Sequence, residues 1–224
     1  MKPPPRRERS SMNMGTSTNF AEQEAAAMEK NREAFMALWN EYVKGRKGDK
    51  AVLRYLVEAG FFTSPASTKY HGAFPGGLCY HSVNVATEVL GIMAQHQLED
   101  ESLNASAVTC ALLHDICKAG TYRQTTKRQR GPNGKWQDAP AYEYDDSGLP
   151  LGHGEKSLFL LQRLGMELTD QEAAAIRWHM GAYRDHDCYN EMGKAFERYA
   201  LALFLHLADM TATYWWESWG RRNG

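Results

Sequence analysis

The 224-residue chain has no apolar run approaching the roughly 18 residues that a helical bilayer span requires. Its opening stretch, MKPPPRRERSSMNMGTSTN, lacks the apolar segment of a secretion signal. Cysteine is scarce. Cys79, Cys110, Cys117 and Cys188 form no C-x-x-C pair, and on one expected helix Cys110 and Cys117 lie about 10 Å apart, too far to bridge. A reducing, cytoplasmic setting is the simplest expectation. Charge of one sign is lacking as well. Lys and Arg number 26 against 27 Asp and Glu, a net charge of −1, which speaks against general affinity for nucleic acids or membrane surfaces.

What is present is apolar residue enough (43%) for a core of one ordinary domain. Residues 1–18 are polar and Pro-rich without periodicity and read as a disordered leader. Residues 19–69 read as N-terminal helices packing on the core. The first, about Asn19 to Lys44, places Met28, Phe35, Leu38, Trp39 and Tyr42 on helical spacing. The second, DKAVLRYLVEAG, starts at an Asp cap and stops at Gly60. A main helical domain follows over 70–217, then a tail at 218–224. Within the domain, helices are expected near 78–96, 102–118, 154–165, 169–180 and 195–217. Residues 121–150 interrupt them with an Asn-Gly turn between β-tolerant flanks, the pattern of a hairpin. The fold class is all-α with one small inserted β-hairpin.

The stretch CALLHDICKAG (110–120) sets the functional question. His114 and Asp115 sit among Ala111, Leu112, Leu113 and Ile116, where a charge is costly unless it is paired or binds a metal. Other polar residues share the problem. His81 lies on the face of Val85 and Val89, His179 follows Ile176 and Ala175, and Asp209 follows Leu205 and Ala202, so all point inward by the i, i+3/i+4 rule. His153, in PLGHGEKS, opens a helix between glycines, where the backbone can come close to a site. Any one inward histidine is commonly a satisfied core residue. Four histidines and two aspartates would need several independent buried networks, whereas one metal centre satisfies them together.

The segments YH (80–81), LLHDICKAG (112–120), GHGEKS (152–157), IRWHMG (176–181) and LHLADMTATY (205–214) resemble, in order, the motifs of the HD-domain metal-dependent phosphohydrolase superfamily. The likeness covers about residues 70–215, and 70–217 would be the HD domain, a helical bundle. Within the superfamily the chain is most similar to the HD domain of bacterial 3′→5′ exoribonucleases, through FPGGLCYH (74–81) and the motifs that follow. It has no pattern for their OB domain, and Trp178-His179 stands where they usually carry two histidines. The resemblance implies His81, His114, Asp115 and Asp209 around one divalent ion, with His153 and His179 holding a second and Asp115 bridging. The ligand types suit Mn, Fe, Ni and Zn alike.

Lys118 is a candidate catalytic residue with Asp115, and a phosphate ligand; a helix-end lysine facing the dipole is the plainer alternative. Lys156, at a helix start, and His71, in KYHGAFPGG, are candidate substrate contacts. Glu155 and Arg184 are weaker ones, and His206 is a neighbour of the site rather than a ligand. The hairpin mixes Lys127, Arg128, Arg130 and Lys135 with aromatics, as a nucleotide lid does, but Asp138, Glu143, Asp145 and Asp146 argue against long nucleic acids. The expectation is therefore a phosphohydrolase or phosphodiesterase acting on a nucleotide or short oligonucleotide, with no membrane partner and with homo-oligomer formation open. Two rivals share the ligand set: an HD-type di-iron oxygenase acting on a small phosphonate or polyol, and a non-catalytic metal-stabilised binding module.

Overall fold

A computed structural model describes residues 15–98, 100–131, 134–145, 148–182 and 188–219. Among them the chain is mostly helical with one two-stranded antiparallel sheet. Residues 1–14 of the expected leader, and 220–224 of the expected tail, lie outside the described residues. No helix among the described residues is long and apolar enough to cross a membrane.

Helix α1 (Gly15–Leu38) begins inside the segment expected to be leader and passes directly into a π-helical turn, Trp39–Val43. Helix α2 (Asp49–Glu58) starts one residue earlier than its Asp cap suggested. Gly48, at φ +91°, is the capping position, and Asp49 instead accepts the Gly45 N–H at 2.8 Å. Helix α3 (Gly77–Gln95) carries Leu78, Val85, Val89 and Met93 on one buried stripe. Helix α4 (Glu101–Leu113) is capped by Asp100, which accepts the Leu103 N–H at 3.0 Å. A 3₁₀ turn, Ile116–Lys118, leads to strands β1 (Tyr122–Arg130) and β2 (Trp136–Tyr144). Then come α5 (His153–Arg163), α6 (Asp170–Trp178), α7 (Tyr189–Arg198) and α8 (Ala200–Thr211), which continues as a π-helical segment to Trp219.

The core is built where α3, α4, α6 and α8 pack together, with α1 and α5 laid against α3 and α6. Leu56, Leu78, Leu112, Ile116, Ile176 and Leu201 are fully enclosed there. The long helix expected over 195–217 is broken at Tyr199, whose backbone is extended (φ −130°, ψ 100°). The break lets α7 lie on the surface, with none of its residues buried, while α8 buries Leu201, Phe204, Leu205 and Asp209. Burial along α8, not helix propensity, decides the direction of the chain here.

Two further contacts hold the frame. Glu172 is fully buried; it closes a capping box with Thr169, and both its oxygens accept from Arg46 Nη2, at 2.6 and 2.8 Å, while Nη1 donates to Thr109. Gly154 lies so close to α6 that a Cβ would meet the Arg177 carbonyl oxygen at 2.3 Å. The glycine after His153 is thus what lets α5 start against the end of α6.

Candidate metal centre

His114 and Asp115 do not lie in a helix interior. Helix α4 ends at Leu113, His114 is its C-cap, and Asp115 (φ −111°, ψ 20°) turns the chain into the 3₁₀ turn. His179 stands in the same way just past Trp178 at the end of α6. Each histidine points its Nδ1 at the carbonyl three residues back: His114 at Ala111 (2.8 Å), His179 at Ile176 (2.7 Å). A carbonyl can only accept, so each Nδ1 carries the hydrogen and each ring turns its Nε2 inward, the atom that offers a lone pair when the ring is neutral. A helix end leaves carbonyls without helical partners. Here those carbonyls set the tautomer of two candidate ligands.

His81 has its Nδ1 held by a different partner. It is fully buried on α3, and its Nδ1 lies 3.0 Å from Oε1 of Glu217, which also accepts from Asn84 Nδ2 at 3.0 Å. A buried carboxylate holding the far nitrogen of a histidine is the arrangement that orients metal-binding imidazoles. Sequence reasoning missed Glu217. Its signal was slight: a lone acid in TYWWESW, eight residues beyond Asp209 on a segment whose π-helical winding no 3.6-residue pattern anticipates.

The inward atoms converge. His81 Nε2 is 3.3 Å from His114 Nε2 and 3.1 Å from Asp209 Oδ1, and His114 Nε2 is 3.4 Å from Asp115 Oδ2. His179 Nε2 faces Asp115 Oδ1 across 3.6 Å, and both atoms are buried without a hydrogen-bond partner. Ligand atoms of His81, His114 and Asp115 fall within 4.8 Å of one another, as do those of His114, His179 and Asp209. Ring nitrogens and carboxylate oxygens lie this close only with a cation between them, a proton or a metal ion. The donor set of imidazoles and carboxylates is one that Mn, Fe, Ni and Zn accept, so these buried groups can hold a metal ion.

The titration behaviour has the same cause. Burial opposes charge on His81, yet the Asp209 and Glu217 carboxylates raise its pKa to about 10. Burial lowers His114. Asp115 is held well below the usual carboxylate range despite its burial, by the charge of Lys118 and by His114. His81 holds Asp209 down in the same manner.

Of the other candidates, Lys118 is buried and its Nζ sits 2.6 Å from Asp115 Oδ2. Burial works against its charge, and Asp115 more than restores it. His71 lies beside the cluster, its ring 4.8 Å from that of His81. Burial, then the charges of His81 and Lys118, lower its pKa to about 4. His153 opens α5 as expected, with its carbonyl 3.5 Å from Cys117 Sγ, but it belongs to neither of the two ligand sets. Lys156 donates to the Tyr144 hydroxyl at 3.0 Å and so ties α5 to the hairpin. Glu155 pairs with Arg177 at 2.5 Å. His206 Nδ1 lies 2.6 Å from the His179 carbonyl and steadies that turn. Arg184 lies outside the described residues. A scan against protein-family models and searches of curated proteins and of solved structures return no match.

Proposed function

We propose that the chain is an HD-type metal-dependent phosphohydrolase that cleaves a phosphoester of a nucleotide or short oligonucleotide. The observation that carries this reading is the convergence of three Nε2 atoms and two carboxylates on one buried spot, with a buried lysine against one of the carboxylates. His81, His114, His179, Asp115 and Asp209 would hold the metal, with His153 completing a second position as in the family the sequence resembles. Divalent ions bound there would supply a water acidified toward neutral pH and a Lewis acid for the phosphoryl group.

The chain's own residues do the rest. Lys118 engages Oδ2 of Asp115 and leaves Oδ1 turned toward His179, so the carboxylate can serve two positions at once. An ammonium has three donors, and those not used by Asp115 are placed to meet an anionic oxygen of the substrate. His71, neutral near pH 7, is set at the edge of the cluster to offer a hydrogen bond without adding charge.

The test is metal content per chain together with hydrolysis of bis-(p-nitrophenyl) phosphate under added Mn²⁺, in wild type and His153→Ala. Two ions falling to one, with turnover lost, supports a binuclear hydrolase. Oxygen uptake by iron-loaded protein, with no ester cleavage under any metal, would replace this reading with the oxygenase.

A further inference from the structure

The hairpin pairs in register from Tyr122–Tyr144 at its base to Arg130–Trp136 at its tip, and nine residues at about 3.4 Å each make an arm roughly 30 Å long. Side chains alternate between its faces. One face carries Tyr122, Tyr144 and Tyr142 toward the base, then Arg128, Asp138, Arg130 and Trp136 toward the tip, with Arg128 Nε 3.9 Å from Asp138 Oδ1. That face starts at the candidate centre. Thr121 Oγ1 donates to the Lys118 carbonyl at 2.8 Å, and the Tyr122 and Tyr144 rings meet at 5.6 Å beside Lys156.

The register also sorts the charges, which the bare sequence could not. Glu143 and Asp145 fall at the base with Arg123, whose Nη2 lies 3.2 Å from Asp145 Oδ2. The outer half, residues 126–140, holds Lys127, Arg128, Arg130 and Lys135 against Asp138 alone, four positive minus one negative or +3, in a chain of net −1. On the face with Trp136 the balance is Arg128 and Arg130 against Asp138, and Lys127 lies on the other face. Trp136 is 59% exposed, with the Arg130 guanidinium 5.8 Å from its ring centre. An exposed indole beside guanidiniums at the tip, above half-buried tyrosine rings on the same face, matches the needs of a single strand, whose bases stack and whose phosphates pair. An acidic protein surface would call for the cations but not for the exposed indole.

We propose that this face of the arm binds single-stranded nucleic acid and leads it to the metal centre, so that the substrate is an oligonucleotide rather than a mononucleotide. The proposal rests on the phosphohydrolase reading for its second half, and the two fail separately. The experiment is fluorescence anisotropy of a labelled oligothymidylate about 12 nucleotides long with the full chain across a salt series, alongside turnover of bis-(p-nitrophenyl) phosphate. Trp136→Ala is expected to weaken binding about 10-fold, one lost stacking platform. Arg128→Gln combined with Arg130→Gln is expected to lower the slope of log affinity against log salt by about 1.4. Both variants should turn over the small ester as wild type does. Wild type that does not bind the oligothymidylate, or binding that both variants leave unchanged, would overturn the proposal. Equal affinity for polyglutamate, insensitive to Trp136→Ala, would overturn it too and mark a general polyanion surface. Intact, variant-sensitive binding with no ester turnover under any metal would support the arm while refuting the hydrolase.

Discussion

Asp115 and Lys118 form a buried pair, 2.6 Å apart, in which the lysine occupies one carboxylate oxygen and leaves the other facing His179. Asp115→Asn should therefore do two separable things. Bound metal and ester turnover fall sharply, and Lys118 is left buried without its counter-charge at a cost of about 3 kcal/mol. Burial then lowers the folded-state pKa of Lys118, so the unfolded chain binds the extra proton and the stability of the variant rises with pH toward the ordinary lysine range. Adding Lys118→Met should restore the midpoint of urea unfolding near pH 7 without restoring metal. A single variant as stable as wild type at neutral pH would contradict the pairing.

Glu217 is expected to act through His81. Glu217→Gln keeps an acceptor for the Nδ1–H but loses the charge, and about a 10-fold drop in metal affinity is expected. Glu217→Ala should approach 100-fold. Competition with a chromophoric chelator measures both. A role confined to packing would lower the thermal midpoint of Glu217→Ala while leaving affinity untouched in Glu217→Gln.

Arg46→Ala strips Glu172 of its guanidinium partner while the carboxylate stays enclosed. A loss of about 3 kcal/mol is expected from breaking such a pair, read as a lower urea midpoint with metal content per folded chain unchanged. A midpoint within error of wild type would show that the pair contributes nothing to the frame.

Thiol reactivity should divide the cysteines. Burial pushes Cys79 up to about 12, Cys117 up to about 11 and Cys110 well above the ordinary thiol range, and the four form no disulfide. Alkylation goes through the thiolate, so near pH 8 the native chain should take up iodoacetamide at half-buried Cys188 and little elsewhere. All four should react in denaturant. Mass spectrometry after a short pulse at rising pH checks this, and early labelling of Cys110 would contradict its enclosure.

Much of this was legible in the chain itself. The apolar stripes of α3 and α8 put His81 and Asp209 on inward faces, because helical period alone decides which side of an element is buried. The hairpin followed from its β-tolerant flanks and Asn-Gly turn, and local chemistry sufficed; Asn133 itself lies outside the described residues.

Other features depend on contacts between distant segments, which no local pattern carries. His114 and His179 are presented by the ends of helices rather than by helix faces, and where a helix stops is settled by what packs beyond it. Glu217 meets His81 across 136 residues of sequence. Lys118 is the partner of Asp115, and of the acids that dilute the hairpin's charge Glu143 and Asp145 fall at its base by strand register, while Asp138 stays in the outer half beside Arg128. Sequence by itself determined the residue types and the buried faces, since these follow from periodicity and solvation. Tertiary structure decided which lone pairs meet, because atoms within 4 Å of each other are brought there only by the packing of the whole core.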